Sequence, residues 1–353
     1  MLAPRTPVRG AAHQRGISLI ELMVGVVIGM VAVLVIYQTF AMSEGIKRQT
    51  ISAGDAQKTG MISMYLVGAE VGNAGSGIML NQDDFATCNT DAADITKSMR
   101  PFSIVVTPGA DDATPDSFVV NYSTARSVVT PSVYMAKTDA TTTKSIVQSP
   151  TGFKAGDMVV AISGTGNCEQ LTVTAVTVPD GNGNVELTHE ATTFTYLPTA
   201  RMINLGPATT TQRVRYDVVG GVLRSTDLLV AGATPQPLAS SIMNLKVQYG
   251  VDTTGDGQVD EWTAATGLYA PASVLAFTGP NLRRIKAARV GIVVRSDEPD
   301  RDSPAFTWTL FQCTTQEALN YTCPAALTST LPAQYRYRVY ETIVPLRNPM
   351  WNK

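Results

Sequence analysis

The sequence predicts an α+β fold in which one long N-terminal helix, half of it transmembrane, packs on an antiparallel β-rich body. Three observations lead to this fold class. No charged residue occurs within residues 22–43, no proline occurs within residues 8–100, and short Thr- and Val-rich runs alternate with turn residues after position 100. A proline-free front is typical of a helix, whereas short runs between turns are typical of strands.

Composition narrows the class of protein further. Of the 353 residues, 44% are hydrophobic and 16% are charged, so enough apolar material is present to form a core and disorder is excluded. The formal net charge of −2 argues against a nucleic-acid-binding protein, which would need a strong basic field. The only histidines are His13 and His189, which excludes a multi-histidine metal centre.

The N-terminus combines a basic leader with a membrane-spanning stretch. The apolar residues at about 17–40 match the roughly 20 residues that a helix needs to cross a bilayer. Because positively charged flanks stay in the cytoplasm, we expect residues 1–16 to be cytoplasmic and residues 74–353 to be exported to the periplasm. The leader contains no acid, and its basic residues are Arg5, Arg9 and Arg15.

One acid interrupts the apolar stretch. Glu21 is the only charged residue within residues 17–43. A carboxylate costs about 2.5–3.5 kcal/mol at the bilayer centre and less near a helix end, so we expect this charge to have a partner. The nearest cation would be the amine created by cutting the chain between Gly16 and Ile17.

The stretch RGISLIELM at residues 15–23 resembles the type III leader and cleavage box of type IV pilins and pseudopilins. This resemblance implies that a prepilin peptidase cuts after Gly16 and methylates the new N-terminal amine of Ile17. It also implies that Glu21 pairs with the N-terminus of a neighbouring subunit during assembly. Major pilins usually carry phenylalanine where this chain has Ile17.

A conventional secretory signal peptide or an ordinary membrane anchor is the alternative for this segment. Residues 41–43, Ala-Met-Ser, resemble a small-residue cut site. However, the apolar centre of a signal peptide is about 7–15 residues long, and the present one is longer and begins beside Glu21.

The predicted helix covers residues 17–73 and ends near Gly72 and the glycines at 75–77. Its glycines each lower helix propensity by about 1 kcal/mol relative to alanine, so they indicate either close packing or a helix that bends. A partial stripe of apolar residues is expected to face the body. The stripe comprises Ile46, Met61, Met64, Tyr65, Leu66 and Ala69.

The body is predicted to consist of short antiparallel strands. Gly220-Gly221 predicts a tight hairpin turn within residues 218–223, because glycine accepts positive φ angles. The other predicted strands are Phe102–Thr107, Ser117–Ser123, Asp157–Ser163, Gln170–Val178, Arg213–Val219, Met243–Gly250, Ala287–Arg295, Thr307–Phe311 and Tyr335–Val344.

The last predicted strand places Tyr335, Tyr337 and Val339 on one face, and Arg336, Arg338 and Tyr340 on the other. The basic face is either solvated or contacts an acidic neighbouring subunit. Residues 286–296 and 337–348 resemble the body signatures of PilW-type minor pilins. This resemblance implies a role in a tip complex that primes pilus assembly and supports a surface adhesin, and it leaves about residues 75–235 unmatched.

An acidic loop after the strand at 243–250 has the oxygen spacing of a calcium-binding loop. Gly257 occupies the turn position 6, whereas Thr263 stands at position 12, where a bidentate acid is expected. An acidic turn between two strands is the alternative. The candidate ligands at positions 1, 3, 5, 7 and 9 are Asp252, Thr254, Asp256, Gln258 and Asp260.

The four cysteines allow three disulfide pairings. Export makes disulfides the expected state. Cys313–Cys323 is the local choice, which leaves Cys88–Cys168. A zinc site is the alternative, but no CxxC spacing is present.

No serine-hydrolase, zinc-protease or phosphate-binding motif occurs in the chain, so no enzyme is predicted. We expect a minor pilin that is located in the bacterial inner membrane and in the pilus filament or tip. Its expected partners are other minor and major pilins, the prepilin peptidase and a pilus-tip adhesin. A pseudopilin of a type II secretion system and a membrane-tethered, calcium-dependent binding module are the alternatives.

Overall fold

In the computed structural model, the chain divides into two units, residues 1–52 and 53–353. The predicted fold class is confirmed, because one long helix precedes an antiparallel β-rich body. The structure describes residues 16, 18–76, 102–123, 132–134, 136–139, 141–148, 152–163, 167–207, 209–230, 232–277, 281, 283–300 and 303–346.

Helix α1 comprises Leu19–Asn73. At its start, the backbone N–H groups of Glu21 and Leu22 donate to the carbonyl oxygen of Ser18 at 3.0 and 3.1 Å. At its end, Gly75 adopts a φ of 80°, a conformation that ends a helix and that glycine takes without strain. The predicted glycine stop therefore lies where the helix ends.

Within residues 22–37, α1 is apolar on all sides. Every side chain from Ser18 to Arg48 is exposed, and α1 contains a stretch that is long and apolar enough to cross a membrane. The hydroxyl of Thr39 donates to the carbonyl oxygen of Val35 at 3.1 Å, so this polar group is satisfied within the helix. A helix without a polar face is typical of a membrane span.

The part of α1 within residues 53–353 buries a stripe of mostly small residues rather than the bulky stripe predicted from the sequence. Met61 and Tyr65 are exposed, and Met64 is only partly buried. The small residues are needed because Tyr340 lies directly against Gly60, where a Cβ atom would come within 2.1 Å of its ring. The buried stripe is Ala56, Gly60, Ser63, Val67 and Val71.

Seventeen strands lie in the described part of the body. They are β1 (Ile104–Thr107), β2 (Ser117–Ser123), β3 (Ser132–Val133), β4 (Lys144–Gln148), β5 (Asp157–Ile162), β6 (Cys168–Val176), β7 (Asn184–His189), β8 (Arg201–Pro207), β9 (Thr211–Val219), β10 (Val222–Asp227), β11 (Gln236–Ala239), β12 (Ile242–Val251), β13 (Glu261–Thr263), β14 (Ile285–Arg295), β15 (Phe306–Leu310), β16 (Leu327–Leu331) and β17 (Tyr337–Pro345). Two short helices, α2 (Pro271–Leu275) and α3 (Thr315–Asn320), accompany them.

The main core lies between α1 and two sheets. One sheet has the strand order β1-β2-β9-β10-β11 and the other the order β13-β12-β14-β17. The buried cluster joins Val67 and Val71 of α1 to both sheets through residues such as Phe118 and Val290. The hydroxyl of Tyr249 also accepts the backbone N–H of Val106 at 2.6 Å, which connects the two sheets.

Strands β3 to β8 form a separate six-stranded sheet with the order β3-β8-β5-β6-β7-β4. An antiparallel bridge between Tyr134, next to β3, and Val147 of β4 connects the first and last strands of this order. The sheet therefore closes on itself as a barrel. Its core includes Leu187, Tyr196 and Met202. This barrel lies in the stretch that the sequence resemblance left unmatched, and its closure was not predicted.

The β15–β16 hairpin covers the face of the β12–β14–β17 sheet that points away from α1. Trp308 and Leu310 of β15 pack in one cluster with Val293 of β14 and, at its margin, Val339 of β17. A Cβ atom at Gly291 would lie 2.6 Å from a methyl group of Leu310, so this glycine permits the close approach of the hairpin.

Candidate functional site

The predicted processing and assembly residues lie at the start of α1. Gly16 is described, whereas Ile17 lies outside the described residues. Glu21 lies in the first turn of the helix with an exposed side chain. No ion pair involves Glu21 within the part of the chain that the structure describes, and the next charged residue after it is Glu44. A carboxylate at a helix N-terminus is favoured by the helix dipole.

The two segments that carry the body signatures are neighbours in the fold. β14 and β17 pair in one antiparallel register from Ala287–Pro345 to Arg295–Tyr337. β14 is buried along nearly its whole length between β12 and β17. The signature residues therefore form the centre and one margin of the sheet on which α1 packs.

The predicted basic face of the last strand carries one side chain that packs on α1 and two exposed arginines. Tyr340, on the face predicted to be basic, packs on α1, where its hydroxyl donates to the carbonyl oxygen of Gln57 at 3.3 Å. Arg336 just before β17 forms an ion pair with Asp300, with 2.7 Å between Nε and Oδ2. Arg336 and Arg338 are both exposed, so the two arginines of this face are accessible to solvent.

The acidic loop brings three of its five predicted ligands together. One carboxylate oxygen from each of Asp252, Asp256 and Asp260 lies within 4.8 Å of the other two. Gly255 and Gly257 have φ angles of 83° and 90°, which allow the chain to turn sharply around these side chains. Thr254 lies beside this cluster, because its hydroxyl donates to Asp260 Oδ2 at 3.1 Å.

Backbone N–H groups stabilise the carboxylates of this loop. Asp252 accepts the N–H groups of Gly255 and Gly257 at 2.5 and 2.8 Å. Asp260 accepts the N–H groups of Thr253 and Thr254 at 2.8 and 3.0 Å. Burial raises the pKa of Asp260, but the hydrogen bonds from Thr254 and Thr253 outweigh this effect, so the pKa lies below its ordinary value. The loop thus favours the charged form of Asp260.

A buried cation lies beside the loop. The ammonium of Lys286 lies 3.8 Å from Asp252 Oδ2, and both side chains are about 5% exposed. Burial lowers the pKa of Lys286, and the nearby Asp252 carboxylate opposes that shift. Lys286 therefore offsets part of the negative charge of the three aspartates.

The Cys313–Cys323 disulfide is confirmed, with 6.3 Å between the Cα atoms. It closes a loop that contains α3, whose N-terminus has a capping box between Thr314 and Glu317. Cys168 is also disulfide-bonded, but Cys88 lies outside the described residues, so the predicted Cys88–Cys168 pair stays a prediction.

An ion pair fixes the disulfide loop on the sheet. Arg289 of β14 donates to Glu317 Oε1 at 2.9 Å and lies over the ring of Trp262, 4.6 Å from its centroid. The backbone N–H of Thr314 lowers the pKa of Glu317 most, burial opposes the shift, and the Thr314 hydroxyl and Arg289 lower it further. The backbone of Thr322 accepts the N–H of Trp262 at 2.9 Å, so the disulfide loop also contacts β13 directly after the acidic loop.

Comparison with known proteins gives two family matches. Residues 221–348 match the family described as Type IV Pilus-assembly protein W, and residues 11–37 match the Prokaryotic N-terminal methylation motif. Among solved structures, the chain is similar to a type IV-like pilin from Thermus thermophilus, with 10% identity, a TM-score of 0.36, and coverage of 83% of this chain and 96% of that chain. No curated protein matches the chain.

Proposed function

We propose that this chain is a PilW-type type IV minor pilin that takes part in pilus assembly, because residues 221–348 and 11–37 match the two families. The leader is cut after Gly16, and the new amine at Ile17 is methylated, which is consistent with the matched methylation motif. Glu21 then pairs with the N-terminal amine of a neighbouring subunit. The observation that carries this proposal is the single carboxylate in the otherwise uncharged stretch of residues 17–43.

The interaction free energies favour an ion pair between Glu21 and the N-terminal amine of a neighbouring subunit. A carboxylate at the centre of a bilayer costs about 2.5–3.5 kcal/mol. A cation about 4 Å away contributes about 4 kcal/mol at an effective dielectric constant of about 20. The attraction is thus comparable to the penalty, so a subunit that leaves lipid for a filament is stabilised when Glu21 meets an amine. The uncut leader would place its own residues where that amine has to be.

The proposed location and partners of the chain depend on the same N-terminal segment. Membrane anchoring and association with the pilus are supported by the apolar helix and the methylation motif. We propose that the chain crosses the inner membrane once, with the leader in the cytoplasm and the body in the periplasm. We propose other minor and major pilins, the prepilin peptidase and a tip adhesin as its partners, in a tip complex that primes assembly.

The test of this proposal is the mass of the mature N-terminal peptide together with incorporation into pili. We expect a peptide that begins at Ile17 and carries one extra methyl group, and the full leader in cells that lack the peptidase. Glu21→Ala should reduce the amount in purified pili by more than about tenfold, the equivalent of about 1.4 kcal/mol. Glu44→Ala, which removes an acid farther along the same helix, is the matched control and should be incorporated normally.

If uncut chains or Glu21→Ala chains enter pili as efficiently as the wild type, the charge-pair proposal is wrong. Loss of incorporation for Glu44→Ala as well would show that the assay reports general helix damage rather than the pairing of Glu21.

We also propose that the acidic loop binds Ca²⁺. Its three converging carboxylates offer the oxygen ligands that this hard cation prefers. The fit is incomplete, because Thr263 stands where a bidentate acid is expected and Lys286 already lies beside Asp252. Binding would therefore use Asp256 and Asp260, together with the oxygen of Asp252 that faces away from Lys286, and would rigidify the turn between β12 and β13.

A further inference from the structure

The outer strand of the main sheet has one unpaired edge. β17 is last in the order β13-β12-β14-β17 and pairs only with β14 in the described structure. In an antiparallel pair, residues alternate between those that bond to the neighbouring strand and those that direct their N–H and C=O groups away from it. Ser296 N–H donates to the carbonyl of Arg336, and Leu346 N–H donates to that of Lys286, which fixes this alternation.

The even-numbered residues of β17 therefore bond to β14, and the odd-numbered ones face outward. Within the described residues, no other backbone or side-chain group bonds to these outward N–H groups. Pro345 has no N–H, so it ends the row on one side. The residues with outward N–H groups are Tyr337, Val339, Glu341 and Ile343.

A cavity lies at the start of this edge. Its volume is about 230 Å³, and its lining comes from Ala53 and Ala56 of α1, from residues 303–306 at the start of β15, and from residues 335–338. α1 packs on one face of β17 at Tyr340, whereas β15 packs on the other face, where the rings of Phe306 and Tyr337 stack at 5.6 Å. The cavity therefore lies between α1 and the start of β15, at the N-terminal end of β17.

The charges around the cavity are mainly positive. Arg338 is exposed and lines the cavity. Arg295 lies over the ring of Tyr335 at 4.3 Å, and Arg336 is paired with Asp300. The charged residues that line the cavity are thus Arg336 and Arg338, and a segment that docks here is favoured if it carries acids.

The two faces of the edge differ in chemistry. Because successive side chains alternate across a strand, Arg338 lies on the same face as Tyr340, whereas Ile343, which is 51% exposed, lies on the face of Tyr337. A strand added beside β17 would place one set of its side chains next to Arg338 and the other set next to Tyr337 and Ile343. Glu341 lies on this second face, where its carboxylate already accepts the backbone N–H of Phe311 at 2.9 Å. The fitting strand therefore alternates acidic and apolar residues.

We propose that the outer edge of β17 is a docking site for an extended, alternating acidic and apolar segment of another polypeptide, which adds to the sheet as a fifth strand. Main-chain hydrogen bonds to the four outward residues supply affinity, and the cavity and Arg338 supply specificity. This site uses only residues 53–353 and does not depend on Glu21. It also explains why a long edge strand, which would otherwise invite unspecific pairing, is left open.

The experiment uses the full chain in detergent micelles and, as the probe, a capped peptide of four Val-Glu repeats. Residue-resolved hydrogen exchange measures each backbone N–H of β17. We expect the N–H groups of Tyr337, Val339, Glu341 and Ile343 to exchange at least tenfold more slowly when the peptide is bound. The N–H groups of Arg338, Tyr340 and Thr342, which already bond to β14, should change little and serve as the internal control.

Two further experiments test whether the peptide binds through main-chain hydrogen bonds and through its charge. A peptide with N-methyl groups on alternate amides, which cannot bond along one edge, should bind at least tenfold more weakly. Arg338→Glu should reverse the preference, so that a Val-Lys peptide binds better than the Val-Glu peptide. Lys154→Glu makes the same charge change on an exposed residue of the barrel and should leave the preference unchanged.

Three results would overturn the proposal. The first is no change in exchange at the four outward N–H groups at saturating peptide. The second is binding that N-methylation does not weaken. The third is protection that exists without peptide and rises with protein concentration, which would assign the edge to pairing between two copies of this chain.

Discussion

The packing of α1 on β17 predicts an unusual response to Gly60→Ala. Alanine normally stabilises a helix by about 1 kcal/mol relative to glycine. At Gly60, however, a Cβ atom would lie 2.1 Å from Cε2 of Tyr340 and 2.7 Å from its Cδ2 and Cζ atoms. Carbon atoms in good contact are about 3.5–4.0 Å apart, so the helix or the ring must move by about 1.5 Å.

Overpacking of this kind costs about 1–3 kcal/mol. We expect the upper part of this range, because the ring of Tyr340 is held by its hydrogen bond to the carbonyl of Gln57. After the gain in helix propensity, Gly60→Ala should lower the free energy of unfolding by about 2 kcal/mol. Gly54→Ala is the matched control, because no atom lies within 4 Å of the added Cβ there, and it should stabilise by about 1 kcal/mol.

The assay is urea denaturation of the full chain in micelles, in the wild type and in a Tyr340→Ala background. Removing the ring removes the clash, so Gly60→Ala should become stabilising by about 1 kcal/mol in that background. If Gly60→Ala stabilises the wild-type chain as much as Gly54→Ala does, the close contact between α1 and β17 does not constrain this glycine and the reasoning is wrong.

Three other predictions concern the body. The capping hydrogen bonds and Arg289 lower the pKa of Glu317 in the folded protein. The stability that this carboxylate contributes is therefore present above its unfolded pKa of about 4.3 and is lost as the pH falls through the lower folded pKa. Glu317→Gln should flatten the acid unfolding curve in that range, and a variant with the wild-type pH profile would contradict this. The buried pair of Lys246 and Asp116, at 3.0 Å, predicts that Lys246→Met costs about 3–5 kcal/mol in urea unfolding, and a loss below about 1 kcal/mol would contradict it. Calorimetry of the full chain in micelles should show heat on addition of Ca²⁺ and a raised melting temperature, both lost in Asp256→Asn, and the absence of heat in the wild type would remove the calcium proposal.

Local sequence patterns were sufficient for most elements of the main sheets. The hairpin at Gly220-Gly221 and the strand Ser117–Ser123 are present at the predicted residues, and each of the other predicted strands lies within two residues of its predicted bounds. These strands are β-branched, apolar and bounded by turn residues, so a short window of sequence contains their signal.

The strands that were missed are short or polar, or owe their pairing to distant residues. β4 and β7 alternate buried and exposed residues among threonine, serine and charged side chains, and β3 has only two residues. Closure of the barrel depends on the Tyr134–Val147 bridge, which no local pattern indicates. β13 and β16 are likewise defined by their partners rather than by their own hydrophobicity.

The candidate sites were likewise predictable from the sequence only where neighbouring residues form them. Cys313–Cys323 was predictable because a short loop brings two cysteines together, and the calcium spacing correctly brought Asp252, Asp256 and Asp260 into one cluster. The same spacing missed Lys286, since this cation comes from β14 and reaches the loop only in the folded sheet.

Composition and periodicity by themselves determined that a helix with an apolar first half, in which Glu21 is the only acid within residues 17–43, precedes a body of antiparallel strands. Both features arise from which side chains avoid water and from which residues end a helix, and these are properties of neighbouring residues. Only the tertiary structure decided that Gly60 faces Tyr340, that Met61 and Tyr65 of α1 remain exposed, and that β17 pairs on one edge only among the described residues. The physical reason is distance along the chain: Gln57 and Tyr340 are separated by 283 residues, and their contact depends on how the sheets pack rather than on any local pattern.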